Sequence, residues 1–314
     1  MKDEIYVHIG YPKTGTKFLQ QSVFPRVQGL NYIPPWHVRQ ELSLVVRQNE
    51  FNFDYAAVKA SLEKHFKPGR NLLSNESLMG DFYIHKLLNS RLVADRLAGL
   101  FPGAKIIITI RNQYDLMESL YRQYLHKGGT KRFREFVSFS NGSFKVNYSE
   151  WEFGVNIEMF DYVKVVDYYE KLFGISNILI IPYELLRKNP RLFIDQLFFW
   201  MGFQEEISYQ SDPLNSGYGS RQAVIARFLN RFLRSKMNEG AIVPDICLPV
   251  TGKIDAGKLR VILQSKLSQK VLGRKFASDE MLKTEVKKVF ADSNRLLDAR
   301  YGLSLAESFP GCYF

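Results

Sequence analysis

Ile5-Tyr-Val-His-Ile9 runs straight into Gly10-Tyr-Pro-Lys13-Thr14-Gly15-Thr16-Lys17-Phe-Leu19, and these fifteen residues set the frame for the rest of the chain. A short apolar, β-rich run enters a turn bounded by two glycines, and helix-forming residues begin at Thr16. Glycines at 10 and 15 let backbone N–H groups turn inward around an anion. The helix that follows aims its positive dipole end at the same place. A Walker A loop, G-x-x-x-x-G-K-[ST], carries its lysine directly after the second glycine and a hydroxyl for Mg²⁺. Here Thr16 follows Gly15, and the lysine, Lys13, lies inside the loop. The spacing predicts an anion-binding turn and argues against a Mg²⁺-nucleotide hydrolase.

Working outward, three more apolar runs repeat the pattern of the first: Asn71 to Ser74, Lys105 to Ile110 and Asn177 to Pro182. Each is nearly continuous rather than alternating, as strands covered on both faces require. Helical stretches lie between and around them: Thr16 to Phe24, Asp54 to His65, Ile84 to Leu100, Tyr114 to His126 and Tyr162 to Leu172. The β-α-β-α-β-α-β order predicts an α/β fold with a P-loop-like, doubly wound parallel sheet flanked by helices, and ligands beyond the carboxyl ends of its strands. Pro190 to Met201 reads as a further helix and the Gly/Ser-rich Ser211 to Ser220 as a loop. Basic helices follow at Arg221 to Met237, Lys258 to Leu272 and Asp279 to Tyr301, with a Pro/Gly-containing loop at Gly240 to Gly252. The expectation is one domain over 1–314, with an α/β core at 1–210 and, at 211–314, a cofactor-covering loop and a basic helical C-terminal part.

Composition narrows the function classes. The 314 residues carry 43 Lys and Arg against 32 Asp and Glu, a net charge of +11, and 46% are hydrophobic. Such a chain buries a full core without staples and is not disordered. Two cysteines, Cys247 and Cys312, form neither a disulfide scaffold nor a metal motif, which suits a reducing compartment. No stretch approaches the roughly 20 apolar residues of a membrane helix, and the Met1-Lys-Asp-Glu start lacks the pattern of a secretory signal. The reading is a soluble, cytoplasmic protein with an anionic partner. Three sequons, at Asn75, Asn141 and Asn147, are then chance matches.

A second segment supports an anion site. The run Lys105 to Ile110 leads into Arg111-Asn-Gln-Tyr-Asp115-Leu-Met-Glu-Ser119-Leu-Tyr121. An arginine at a strand end and a serine two helical turns later return to nearly the same face and can converge on one phosphate. With both segments in view the sequence resembles the sulfotransferase family. Tyr11 to Leu19 is similar to the family's 5′-phosphosulfate loop, Y-P-K-[ST]-G-[ST]-[ST]-[WF]-L, with Lys17 replacing a hydroxyl residue. Arg111 to Tyr121 is similar to the 3′-phosphate motif, R-N-P-x-D-x-x-x-S-x-Y, with Gln113 replacing proline. Tyr183-Glu184-Leu-Leu resembles the Y-E-D-L that follows strand four, where the tyrosine lies near the adenine. Arg221 stands where family members supply a further basic contact.

The resemblance implies sulfuryl transfer from 3′-phosphoadenosine 5′-phosphosulfate (PAPS), releasing PAP, with no metal required. Lys13 is then the electrophile that follows charge onto the leaving oxygen, as in phosphoryl transfer. Lys13, Thr14, Gly15, Thr16 and Lys17 hold the 5′ side, Arg111 and Ser119 the 3′-phosphate, and Tyr183 and Arg221 the remainder. The histidine loop of the small-phenol branch has no counterpart. Instead Glu76, just past Asn71 to Ser74, matches the glutamate base of the carbohydrate branch, and His37 in the Pro34-Pro35-Trp36 loop is the alternative base. A bacterial-type soluble member acting on a carbohydrate or glycolipid hydroxyl is expected, with Tyr32, Trp36, Phe82, Tyr83, Tyr148 and Trp151 as candidate sugar-stacking aromatics. Two alternatives stay open: a P-loop nucleotide kinase or NTPase, and a non-enzymatic binder of an acidic polymer. Arg221 to Lys275 holds twelve basic and three acidic residues, a field suited to an acidic glycan or a membrane surface. Nucleic acid is not expected as a partner.

Overall fold

Runs of apolar residues without alternation become strands only where both faces are covered, and the sheet obeys that rule. The structure is a computed structural model that describes residues 3–82, 86–146, 153–204, 207–209, 218–235, 237–243, 246–248, 252–254, 263, 266–273 and 276–314. Strands β1 (Glu4–His8), β2 (Leu30–Ile33), β3 (Arg70–Ser74) and β4 (Lys105–Ile110) come first. A short hairpin, β5 (Phe139–Ser140) with β6 (Ser143–Phe144), precedes β7 (Ile178–Pro182). The five-stranded sheet runs β2-β3-β1-β4-β7, parallel throughout, so every carboxyl end lies on one edge. In β4 every residue after Lys105 is buried. Because β1 lies between β3 and β4, the chain leaves β1 at the point where the strand order reverses, which is where α/β sheets open a crevice.

The described residues belong to two compact units: Met1–Asn112, Met159–Pro213 and Phe290–Phe314 in the first, Gln113–Glu158 and Leu214–Val289 in the second. The first holds the sheet with α1 (Thr16–Phe18), α2 (Arg39–Arg47), α3 (Tyr55–Glu63) and α4 (Ser90–Leu100). The second opens with α5 (Gln113–His126) and α6 (Phe133–Phe136). The chain returns to the first unit for α7 (Tyr162–Phe173), α8 (Tyr183–Lys188) and α9 (Pro190–Trp200), then to the second for α10 (Ser220–Asn230). Leu19, Val23 and Phe24 pack with Tyr6, Leu72, Ile107 and Ile181 of the sheet and Phe193 and Leu197 of α9 in one buried cluster. That cluster anchors the glycine-bounded turn by its exit.

Several sequence expectations need correction. Strand β2 was not expected, because Leu30-Asn-Tyr-Ile33 is a half-buried edge strand with a polar residue inside it. Asn31 satisfies that edge by donating to Asn71 Oδ1 at 2.7 Å and His65 O at 2.9 Å. The helix after the turn is not uniform: α1 passes into a π-turn, Leu19–Val23, and a 3₁₀ turn, Phe24–Arg26. Pro25 lacks the N–H that a regular helix needs there, and the Gln21 carbonyl accepts from the Arg26 guanidinium instead, at 3.0 Å. The helix expected from Ile84 starts only at Ser90, since Lys86 and Leu87 adopt φ of 45° and 60°. Arg221 to Met237 ends as a helix at Asn230, after which Leu233 bridges Val243. The Gly240 to Gly252 loop contains strand β8 (Ile246–Leu248), paired with β9 (Gly252–Ile254). Tyr83, Tyr148, Trp151, Asn147, residues 211–217 and most of 255–265 lie outside the described residues.

Candidate functional site

The turn after β1 is held as an extension of the sheet. Ile9 and Tyr11 donate their N–H groups to Ile107 O and Thr109 O, each at 3.0 Å, and Asn75 donates to His8 O at 3.1 Å. Gly10 lies so close to β4 that a Cβ there would fall 1.8 Å from Thr109 Oγ1. Gly15 has φ 90°, and its Cβ would meet Leu186 at 2.5 Å. Gly10 has no room for a side chain beside Thr109, and at Gly15 the left-handed backbone itself disfavours one. Lys13, which has a Cβ, also takes the left-handed region, with φ 67°. An L-residue held there carries backbone strain of about 1 kcal/mol or more, a feature concentrated at functional sites. Its side chain is exposed at the carboxyl edge of the sheet.

Beneath the turn runs a buried polar chain that sequence reasoning did not assemble. His8 Nδ1 meets Ser74 Oγ at 2.8 Å, and His8 Nε2 meets Thr109 Oγ1 at 3.3 Å. Thr109 Oγ1 lies 2.6 Å from Thr14 Oγ1, which donates to Tyr11 O. Gln20 donates to Ser74 O at 2.8 Å. Three strands and the turn are thereby tied together. The Thr14 hydroxyl is spent inside this network, so Thr14 can offer a ligand only its main chain. The signal in the sequence was a lone threonine in the apolar run of β4 and a histidine inside β1.

Burial holds the His8 pKa down at about 4, so the imidazole is neutral at physiological pH. Unfolding restores a value near 6.5, so the unfolded state takes up protons first as pH falls. The stability supplied by neutral His8 is intact above about pH 6.5 and is lost progressively toward pH 4, to a total of about 3 kcal/mol. A His8→Asn variant should be less stable at neutral pH but show a shallower decline from pH 6.5 to 4 in urea titrations. Equal slopes for the two proteins would contradict this.

Arg111, at the end of β4, joins the same place. Its guanidinium donates to Lys13 O at 3.1 Å and lies over the Tyr183 ring, 4.9 Å from its centroid. Tyr183 opens α8 beside Gly15. The structure thus brings Lys13, Gly15, Arg111 and Tyr183 together. Two buried polar atoms of this group have no hydrogen-bond partner, Thr16 Oγ1 and Arg111 Nε. Lys17 is exposed on the first turn of the helix. Ser119, half-buried on α5, and Arg221, exposed on α10, belong to the second unit.

The Arg111 corner has a brace that the motif comparison did not reveal. Glu184, next to Tyr183, accepts from Asn112 N at 2.9 Å and from Tyr313 Oη at 2.6 Å. Asn112 Nδ2 donates to Cys312 O at 2.6 Å, and Asn294 Nδ2 to Tyr313 O at 3.0 Å. Tyr162 Oη donates to Arg111 O. Burial pushes the Glu184 pKa up, while the Tyr313 and Asn112 donors oppose that shift. Removing a donor from a buried acceptor costs about 1–3 kcal/mol. Tyr313→Phe is therefore expected to lower unfolding stability by that amount, read from the denaturation midpoint at constant m-value. A change within 0.5 kcal/mol would show that the brace is not stabilising.

Glu76 follows the carboxyl end of β3, the strand next to β1, with His8 and Ser74 in register. Asn75 Oδ1 accepts from Ser77 N and Ser77 Oγ, both at 2.8 Å, which closes the turn and leaves Glu76 exposed. His37 is also exposed but follows β2, one strand farther from the glycine turn, or about 5 Å in strand spacing. Of the candidate aromatics, Trp36 is 59% exposed and Phe82 only 5%. Phe82 packs against Tyr11 and Phe160, which removes it as a stacking surface, and Tyr32 packs against Phe24.

The sulfotransferase domain family matches the chain over residues 4–212. No curated protein matches it. Among solved structures, a sulfotransferase from Alicyclobacillus acidocaldarius aligns at 15% identity over 68% of this chain and 87% of its own, with a TM-score of 0.47. Mouse sulfotransferase SULT7A1 complexed with PAP aligns at 15% identity over 99% and 86%, TM-score 0.38. The sulfotransferase domain from the curacin biosynthetic pathway aligns at 15% over 94% and 98%, TM-score 0.40.

Proposed function

Because the chain belongs to the sulfotransferase domain family, we propose that it transfers a sulfuryl group from PAPS to a hydroxyl of a carbohydrate or glycolipid. The observation that carries this reading is the glycine-bounded turn at the strand-order reversal, with Lys13 in a left-handed conformation and the Arg111 guanidinium on its carbonyl. The two orphaned polar atoms, Thr16 Oγ1 and Arg111 Nε, fit an anionic ligand, since buried donors without partners are rare. Bound there, PAPS supplies the sulfuryl group and its PAP portion is the leaving group.

The chain's own residues then have distinct tasks. Gly15, the Thr14 main chain, Thr16 and Lys17 bind the 5′-phosphate side, where the cramped glycines allow close backbone approach. Lys13 places a cation where negative charge grows on the departing oxygen. Arg111 binds the 3′-phosphate and Tyr183 orients the adenine, while the roles that the family motif gives Ser119 and Arg221 rest on the sequence resemblance. Glu76 accepts the proton of the acceptor hydroxyl as its oxygen bonds to sulfur and the bond from sulfur to the leaving oxygen breaks. An exposed carboxylate just past the strand next to the turn, together with exposed Trp36, supports a polar, ring-shaped acceptor in place of a buried phenol.

The test is direct. PAP binds only the folded state, so saturating PAP should raise the thermal midpoint, by about 3 kcal/mol of added stability at a hundred times Kd. Radiolabelled PAPS incubated with oligosaccharide and glycolipid acceptors should then label one class. A midpoint unmoved by PAP would refute the donor; a PAP shift with label transferred only to phenols would refute the acceptor.

A further inference from the structure

Helix α10 carries its amphipathicity the wrong way round for a core helix. Its buried positions are Gln222, Ala223, Ala226 and Asn230, whereas Val224 and Phe228 are 55% and 58% exposed. Directly after the helix, Phe232 is 43% exposed, with its ring 5.3 Å from that of Phe228. Val243 N donates to Phe232 O at 2.8 Å, which brings the 85% exposed Ile242 alongside. A helix in a soluble unit ordinarily turns its apolar stripe inward.

The helix cannot simply rotate to correct this. Asn230 Nδ2 donates to Leu125 O and Gly129 O, both at 2.8 Å, and Gln222 Nε2 donates to Leu263 O and Ser268 Oγ. Turning Phe228 inward would break those bonds and strand buried amides. The adjoining segment is basic: Arg231 and Arg234 are exposed, and Glu239 is the single acidic residue between 218 and 243. Its complement must be both anionic and apolar.

The geometry points to this face as a peripheral docking surface for an anionic lipid bilayer. Phe228, Phe232 and Ile242 seat at the boundary of the acyl chains, and the arginines engage headgroup phosphates. A second copy fits poorly, because a two-fold contact would set the arginines of both copies against one another. A soluble polyanion satisfies the arginines but covers none of the exposed rings. Among the described residues no helix is long and apolar enough to cross a membrane, so the association is with the surface.

Vesicle co-sedimentation of the full chain tests this independently of any sulfuryl transfer. Binding to phosphatidylcholine vesicles containing phosphatidylglycerol should exceed binding to phosphatidylcholine alone by about twenty-five-fold, from two charges at about a factor of five each, and weaken with salt. Phe228→Ser/Phe232→Ser and Arg231→Gln/Arg234→Gln should each abolish most of it while the thermal midpoint is retained, since these side chains are exposed. Three outcomes overturn the proposal: no preference for anionic vesicles, undiminished vesicle binding by the folded Phe228→Ser/Phe232→Ser protein, or a dimer in sedimentation that this variant dissolves. Retention on dextran sulfate without vesicle binding would assign the face to a soluble polyanion instead.

Discussion

Lys13→Met is expected to lower kcat for sulfuryl transfer by about a hundred- to a thousandfold, the usual consequence of removing one preorganised charge from a developing oxyanion. Methionine keeps the unbranched stem and loses only the ammonium. Lysine and methionine face the same restriction at φ 67°, so the variant should fold as well as the parent. The check is initial rates at saturating PAPS, with circular dichroism as the folding control. A decrease of less than about tenfold would mean that the charge of Lys13 does not follow the leaving oxygen. The loop would then serve to bind the cofactor while another cation supplies the electrostatics.

Glu76→Gln should reduce turnover by about a hundred- to ten-thousandfold, the range spanned by general-base catalysis, while PAP affinity is unchanged. The substitution is nearly isosteric at an exposed side chain, so stability should be within 0.5 kcal/mol of the parent. Near-normal turnover would reject Glu76 as the base and direct attention to His37 across β3. A parallel loss of PAP binding would instead make Glu76 part of the cofactor pocket.

How much was legible in the chain itself follows from the range over which each feature is encoded. The strands β1, β3, β4 and β7 were legible because burial on both faces writes a continuous apolar run. The edge strand β2 was not, since only Ile33 of its four residues is fully buried and the run carries no continuous apolar signal. The glycine turn was readable from the spacing of Gly10 and Gly15 around Lys13, whereas the contacts that crowd those glycines, with Thr109 and Leu186, come from distant parts of the chain. What Thr14 does there was not readable. Its place in the motif suggests a ligand contact, yet its hydroxyl turns down to Thr109, 95 residues away.

The sequence by itself determined the α/β order, the glycine-bounded turn with Lys13 inside it, and the arginine at the end of β4. Those features are written over a few neighbouring residues, where periodicity and glycine spacing carry the information. Tertiary structure alone decided which polar groups are spent on the scaffold and which stay available. His8, Ser74 and Thr109 meet only because three strands lie side by side, and Glu184 reaches Asn112 and Tyr313 across 72 and 129 residues. The outward apolar face of α10 is of the same kind: an amphipathic pattern states that one side is apolar, and the hydrogen bonds of Gln222 and Asn230 determine which way that side faces.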